Sequence, residues 1–259
     1  MSSEPMTASQ IAAELRRRIG AGEEGYRRGD RAPSVRGLAE EFGVSQQTAA
    51  AAYASLEAIG MVRVGRGMQG TTVVAGPAAS AHLGHFSPPD LSAAQAWKPE
   101  GNGVAGKEVI SVRQMPATGE MVAWGLPAGG EVVERALVRT VDGVPVQHKV
   151  TLLPMDVASR RPEGYDGVPP MLVPVGAEPV TPPAGVSMAK WLGWGVVHSP
   201  WEITVEPMTA QAAQALGMEE GVPAYRLLAV ARNAGGETVF VTVTTIPLHH
   251  RITMDIVHD

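Results

Sequence analysis

The stretch Pro33–Leu56, PSVRGLAEEFGVSQQTAAAAYASL, narrows the possible folds more than any other part of the chain. Its apolar residues form two sets, Val35, Leu38, Ala39 and Phe42, then Ala49, Ala52, Tyr53 and Leu56. Each set recurs at i, i+3, i+4 and i+7, the spacing of one buried helical face. Between them, Gly43-Val44-Ser45 leaves room only for a sharp turn. Ser34 can accept a hydrogen bond from the free N–H groups of the first helix, Gly43 supplies its exit, and Ser45 can cap the second. Two short helices joined this way make a helix-turn-helix, whose second helix is the part that enters a DNA major groove. The same spacing also suits a helical hairpin of some other small domain, so the flanks must decide.

Upstream, Thr7-Ala8-Ser9-Gln10 has the form of a capping box, and Ile11, Leu15 and Ile19 follow at helical spacing. A helix over roughly 9–22 results, with Arg16, Arg17 and Arg18 on its outer face, where they either meet phosphate or are simply solvated. Gly20–Ala32 reads as a polar connection rich in turn residues. Downstream, Met61–Val64 and Thr71–Val74 read as two strands around Gly65-Arg66-Gly67-Met68-Gln69-Gly70. Three helices followed by a hairpin with a glycine-rich tip form a winged helix, expected over residues 1–75.

A chain of 259 residues with 44% apolar content can hold two packed domains. The net charge of -5 argues against a nucleic-acid binder until it is divided. Residues 1–75 carry nine arginines against eight acids, a net of +1, and the remainder carries a net of -6, so the N-terminal part is the DNA-facing end. The absence of cysteine excludes disulfides and thiolate metal sites. No apolar run reaches the roughly 18 residues of a membrane span, and Met1–Gln10 is too polar for a signal peptide, so a cytoplasmic protein is expected.

Residues 76–104 lack a clear period, contain Gly76-Pro77, Ser87-Pro88-Pro89 and Pro99, and read as a linker. The remainder, 105–259, holds an internal repeat. Arg139, Gly143 and Pro154 recur at the same spacings as Arg232, Gly236 and Pro247, an offset of 93 residues. A short helical stretch precedes each set, Gly119–Gly125 and Thr209–Gly217. Each copy therefore reads as helix, strand, tight turn, strand, with Asp142-Gly143 as a favoured hairpin turn. With Glu108–Met115 as a further strand, the expectation is a mainly antiparallel sheet with packed helices, and the whole chain is of the α+β class. A regular hairpin pairing 141 with 144 would set 139 opposite 146, 137 opposite 148 and 135 opposite 150. Arg135, Arg139 and His148 would then share a face, a plausible anion pocket, with Arg232 as the equivalent of Arg139 in the second copy. The alternative is that the strand arginines face solvent, paired to Glu131 or Glu134.

The order QIAAELRRRI, PSVRGLAEEFGVSQQTAAAAYASLEAIGMV and a GRG wing tip resembles the GntR family of bacterial transcription regulators, over roughly residues 7–75. That resemblance implies DNA contact by Arg36, in the PSxR position. The family's recognition helix usually opens GVSR with a second arginine four residues on, and here those positions hold Gln46 and Ala50. Glutamine suits bidentate bonding to adenine and alanine packs against thymine methyls, so the helix predicts an operator richer in A·T where its tip lies. Otherwise the alanines are only strong helix formers and Arg36 does most of the reading. The expected DNA-facing set is Arg36, Ser45, Gln46, Gln47, Thr48 and Ala50, with Arg66 and Gly67 from the wing.

Residues 105–259 resemble the UTRA effector domain of the HutC-type branch of these regulators, which shares its fold with chorismate lyase, on the repeated R-x3-G hairpins and the AQALGMEEG segment. Sugar-phosphate-sensing members carry RxR ahead of the first turn, and here Leu137 precedes Arg139. A carboxylate or largely apolar effector therefore fits at least as well as a phosphosugar. The fold makes a lyase-like enzyme with a regulatory DNA-binding domain, or a ligand-independent DNA-binding module, the alternatives to be weighed. Nothing in the sequence assembles a base, nucleophile and oxyanion donor, or a carboxylate and histidine pattern with metal-ligand spacing, so no catalysis, cofactor or metal is expected. The expected protein is a homodimeric repressor on a palindromic operator, released by a small effector, with anions among the candidates, and with no membrane partner.

Overall fold

A computed structural model describes residues 6–65, 70–77, 79–85, 97–99 and 104–255. The chain divides into two compact units that interleave in sequence, whereas the sequence alone suggests domains in succession. One comprises Met1–Ala79, Glu206–Ala224 and Pro247–Arg251, the other Ser80–Val205, Tyr225–Ile246 and Ile252–Asp259.

In the first unit, α1 (Ala8–Ala21), α2 (Val35–Phe42) and α3 (Gln46–Glu57) precede the hairpin of β1 (Val62–Val64) and β2 (Thr71–Val73). The expected caps are in place. Thr7 and Gln10 form the capping box of α1, Ser34 accepts from Gly37 N, and Ser45 accepts from Thr48 N. Ile11, Leu15, Ile19, Leu38, Ala49, Ala52, Tyr53 and Leu56 are buried in one core with Met61 and Val73. Burying each of the larger of these side chains contributes about 1.5–3 kcal/mol. Tyr53 is held in that core by donating to Pro33 O at 2.6 Å. The Gly20–Ala32 connection is more ordered than its composition implies. Its end lies along β2 as an isolated antiparallel bridge of Arg31 with Thr72, with Gly29 N and Ala32 N donating to Val73 O and Thr71 O.

The same unit includes α7 (Ala210–Leu216), which buries Ala212, Ala213 and Leu216 with Met208 and Ala224. It also includes the turn at 247–251, where His250 Nδ1 accepts from Ala79 N at 3.2 Å.

In the second unit the central sheet has the order β5 (Ala105–Pro116), β6 (Glu131–Val141), β7 (Val144–Pro154), β11 (Thr238–Pro247), β10 (Pro223–Asn233) and β8 (Val196–His198), and β9 (Trp201–Pro207) also pairs with β10. A second sheet sets β3 (Ala79–His85) between β12 (Arg251–Asp255) and β4 (Trp97–Pro99). The short helices are α4 (Gly119–Ala123), α5 (Met155–Ala158) and α6 (Met188–Trp191). The Asp142-Gly143 turn is as expected, both residues having positive φ, 50° and 77°, the twist that matches hairpin strands. The internal repeat appears as a pseudo-two-fold. Where β7 meets β11, Val150 pairs with Val243, its own equivalent 93 residues on. Leu152 pairs with Val241 and His148 with Thr245, as that symmetry requires. One apolar cluster gathers Val132, Leu152, Leu228 and Val241 with Met121 of α4, and another gathers Val133 and Leu153 with Val157, Met171 and Trp194.

Candidate nucleic-acid interface and effector site

The N-terminal end of α3 stands clear of the core. Ser45, Gln46, Gln47 and Ala50 are exposed, and Thr48 is half-buried. Because Ser45 leads the chain out of the Gly43 turn in extended conformation, its side chain is committed to the cap. Its Oγ bonds Thr48 N at 3.1 Å and Thr48 Oγ1 at 2.8 Å. Gln46, Gln47 and Ala50 remain free to address a partner.

Two shallow grooves flank this tip. One is lined by Arg36, Glu40, Gly43, Val44 and Gln46, the other by Thr7, Ala8, Ser45, Gln47, Thr48 and Ala51. The second groove receives the N-terminal ends of both α1 and α3, whose outward N–H groups and dipoles favour a phosphate. Arg36 Nε donates to Glu40 Oε1 at 2.9 Å with 79% of its side chain exposed, so it is aimed along the first groove beside Gln46. Arg66 and Gly67 lie outside the described residues. The base of the wing is fixed by Arg31, whose guanidinium lies so close over Gly70 that a Cβ there would meet its Nε at 2.6 Å. On α1, Arg17 is bound to Glu14 and Glu23, and Arg18 to Glu14, Glu41 and the Tyr26 hydroxyl. These bonds hold the Glu14 carboxyl at a pKa of about 2. The solvated, internally paired reading thus applies to Arg17 and Arg18.

In the sheet, the expected cluster of Arg135, Arg139 and His148 does not form. The hairpin begins as expected with Val141 opposite Val144, and Thr140 then pairs with Pro145, but Arg139 faces Gln147 and Val138 faces His148. Val146 is bulged out. Pro145 cannot donate to the ladder, and a bulge is where an antiparallel pair tolerates it. One slipped residue moves every later side chain to the other face. His148 therefore shares its face with Val138 and Thr245, and Arg139 and Arg135 share theirs with Gln147, Lys149, Thr151, Thr242 and Thr244. Burial pushes the His148 pKa down, partly countered by Glu134, and its Nε2 is sealed without a hydrogen-bond partner.

Arg135 donates from Nη1 to Met171 O at 3.4 Å and Val173 O at 3.1 Å, pinning that loop to the sheet. Glu134 is bound by Arg113 rather than by Arg135. Arg232 donates to Gly236 O at 3.1 Å across its own hairpin turn and pairs in register with His198. The antiparallel β7–β11 pairing puts the two hairpin turns at opposite ends of the sheet, so Arg232 and Arg139 do not converge. Arg139, only 3% exposed, lies opposite Gln147 and shares its face with Lys149 and with Thr244, whose Oγ1 is fully sealed with no hydrogen-bond partner. Sequence reasoning missed Gln147 and Lys149 because only the shifted register brings them to the face of Arg139.

Residues 7–73 match the family model described as bacterial regulatory proteins, gntR family, and residues 100–164 match that of the UTRA domain. The two matches follow one another along the chain, GntR before UTRA. The UTRA match ends just after the first copy of the repeat. An uncharacterized HTH-type transcriptional regulator of Rhizobium meliloti (strain 1021) is 31% identical over 159 residues, 60% of this chain and 61% of that protein, so the match spans less than two thirds of the relative. Among solved structures, PhnF from Mycobacterium smegmatis is 25% identical, covering 96% of this chain and 99% of its own, with a TM-score of 0.49. YydK from Bacillus subtilis, a possible transcriptional regulator, is 16% identical over 98% of this chain and 100% of its own, with a TM-score of 0.46. The family description and the relative's name are those of regulators rather than enzymes. Among the described residues, no group of three metal-binding side chains gathers, and no helix is long and apolar enough to cross a membrane.

Proposed function

We propose that this GntR–UTRA chain is a sequence-specific transcription regulator, a cytoplasmic repressor that binds a palindromic operator as a homodimer and is released by a small effector. The observation that carries the reading is the exposed tip of α3, where Gln46, Gln47 and Ala50 stand beside Arg36 between two grooves. Such a tip fits the major groove, with glutamine on adenine, alanine on thymine methyls and Arg36 on a guanine or a phosphate. Two protomers related by a two-fold axis read two half-sites about one helical turn, or a multiple of it, apart. The effector-facing part is the sheet face around Arg139 in residues 105–259, where a guanidinium, an ammonium and hydroxyls suit a carboxylate-bearing molecule.

Selection of duplexes from a random pool by the purified chain at low salt tests this. Enrichment of an inverted repeat with A·T pairs under each helix tip is expected. Failure to enrich any sequence, or the absence of any duplex binding, overturns it.

A further inference from the structure

The two copies of the repeat in the second half of the chain have the same order, strand then helix then hairpin, but their helices are used differently. In the first copy α4 stays with its own sheet, where Met121 joins the apolar cluster of Val132 and Leu152. In the second copy α7 and the segment around it, Glu206–Ala224, belong to the compact unit of the winged helix. The contact is built of fitted parts. Gly60, three residues beyond the end of α3, has a φ of +70°, and a Cβ there would come within 2.5 Å of Met218 Cε and 2.8 Å of Val222 Cγ1. Arg28, in the connection before α2, reaches Leu216 O at the C-terminal end of α7. Arg63 on β1 bonds Glu219 at 2.7 Å.

The α7 segment touches the winged helix at the C-terminal end of α3 and at β1. The reading tip of α3 is a helix length away, about 18 Å for twelve residues at 1.5 Å each. Docking of α7 therefore leaves Arg36, Gln46 and Gln47 open to DNA. In the chain, α7 is joined directly to β9 before it and β10 after it, both strands of the sheet. An element bound firmly at one end to the base of the recognition helix, and continuous at both ends with sheet strands, is suited to transmit a change in the sheet. We propose that Glu206–Ala224 is the lever through which the sheet unit sets the DNA affinity of the winged helix, and that the docked state is the one that binds DNA. This rests on the DNA-binding reading above.

Linkage makes the coupling reciprocal: if α7 docking favours DNA binding, DNA must favour α7 docking, although α7 does not touch it. The test is hydrogen exchange of the full chain with and without a duplex enriched by the selection described above, on the wild type and on Val222→Asp, with Met218→Leu as the conservative control. In the wild type and in Met218→Leu the duplex slows exchange of the 212–222 amides several-fold. Val222→Asp loses that response, exchanges faster at 60–64 even without DNA, binds the duplex roughly tenfold more weakly, and keeps wild-type exchange in β6 and β7. The proposal is overturned if DNA leaves 212–222 unchanged, or if Val222→Asp binds like the wild type. If the selection yields no duplex, the DNA-binding reading falls. The exchange at 60–64 in Val222→Asp still judges the docking, which fails if that exchange is unaltered.

Discussion

Arg36 and Glu40 form an exposed ion pair, and such pairs contribute under about 1 kcal/mol to stability, so the role of Arg36 is to be sought in binding. Replacing Arg36 by Ala should leave the melting temperature within a degree or two. It should weaken operator binding by about 1–3 kcal/mol, with relaxed preference at one base pair if it reads guanine and a uniform loss if it holds phosphate. Arg17→Ala, in contrast, should change duplex affinity less than about twofold, because its guanidinium is already engaged by Glu14 and Glu23; titrations at fixed salt distinguish the two. The histidine pair at 249 and 250 has another physical consequence. Burial and the nearby Arg28 lower the pKa of His249 to about 4, and burial beside His249 lowers that of His250 well below its ordinary value. The unfolded chain takes up these protons first as the pH falls. Their contribution to stability is thus complete above about pH 6.5 and is lost between there and pH 4. Thermal melts should show the wild type losing stability from pH 7.5 to pH 5, with a flatter profile for His249→Asn.

The elements divide into those whose cause is local and those whose cause lies elsewhere in the chain. All three helices of the winged helix and their caps were legible in the sequence, because a 3.6-residue apolar period and a serine or threonine at the boundary act within one turn. Ser45→Ala tests this directly, since loss of the acceptor for Thr48 N should cost about 1 kcal/mol in a denaturant titration. The tight turn at Asp142-Gly143 was legible for the same reason. The face on which His148 falls was not. Pairing registers accumulate from the turn outward, and the bulge at Val146, admitted by Pro145, reverses the side of each later residue. A short helical stretch over Thr209–Gly217 was legible, but a local helical signal does not name what the helix packs against. The sequence thus put Gln46, Gln47 and Ala50 at the start of a capped helix, where they are exposed, and did not reach the neighbours of Arg139.

At the scale of the whole molecule, the winged helix is completed by two segments that follow it by well over a hundred residues, Glu206–Ala224 and Pro247–Arg251. A fragment ending at residue 79 lacks the partners of Gly60, Arg63 and Ala79. It should melt at a lower temperature than the helical signal of the winged helix in the intact chain, as circular dichroism or exchange would show. The pseudo-two-fold through Val150 and Val243 has a consequence of a different kind. Duplicating a strand-helix-hairpin module yields a spare helix: the sheet closes through its hairpins, so only one of the two helices has to stay with it. The redundant one is at liberty to change allegiance, and a molecule with such a surplus can acquire communication between distant parts without inventing a new piece of structure for the purpose.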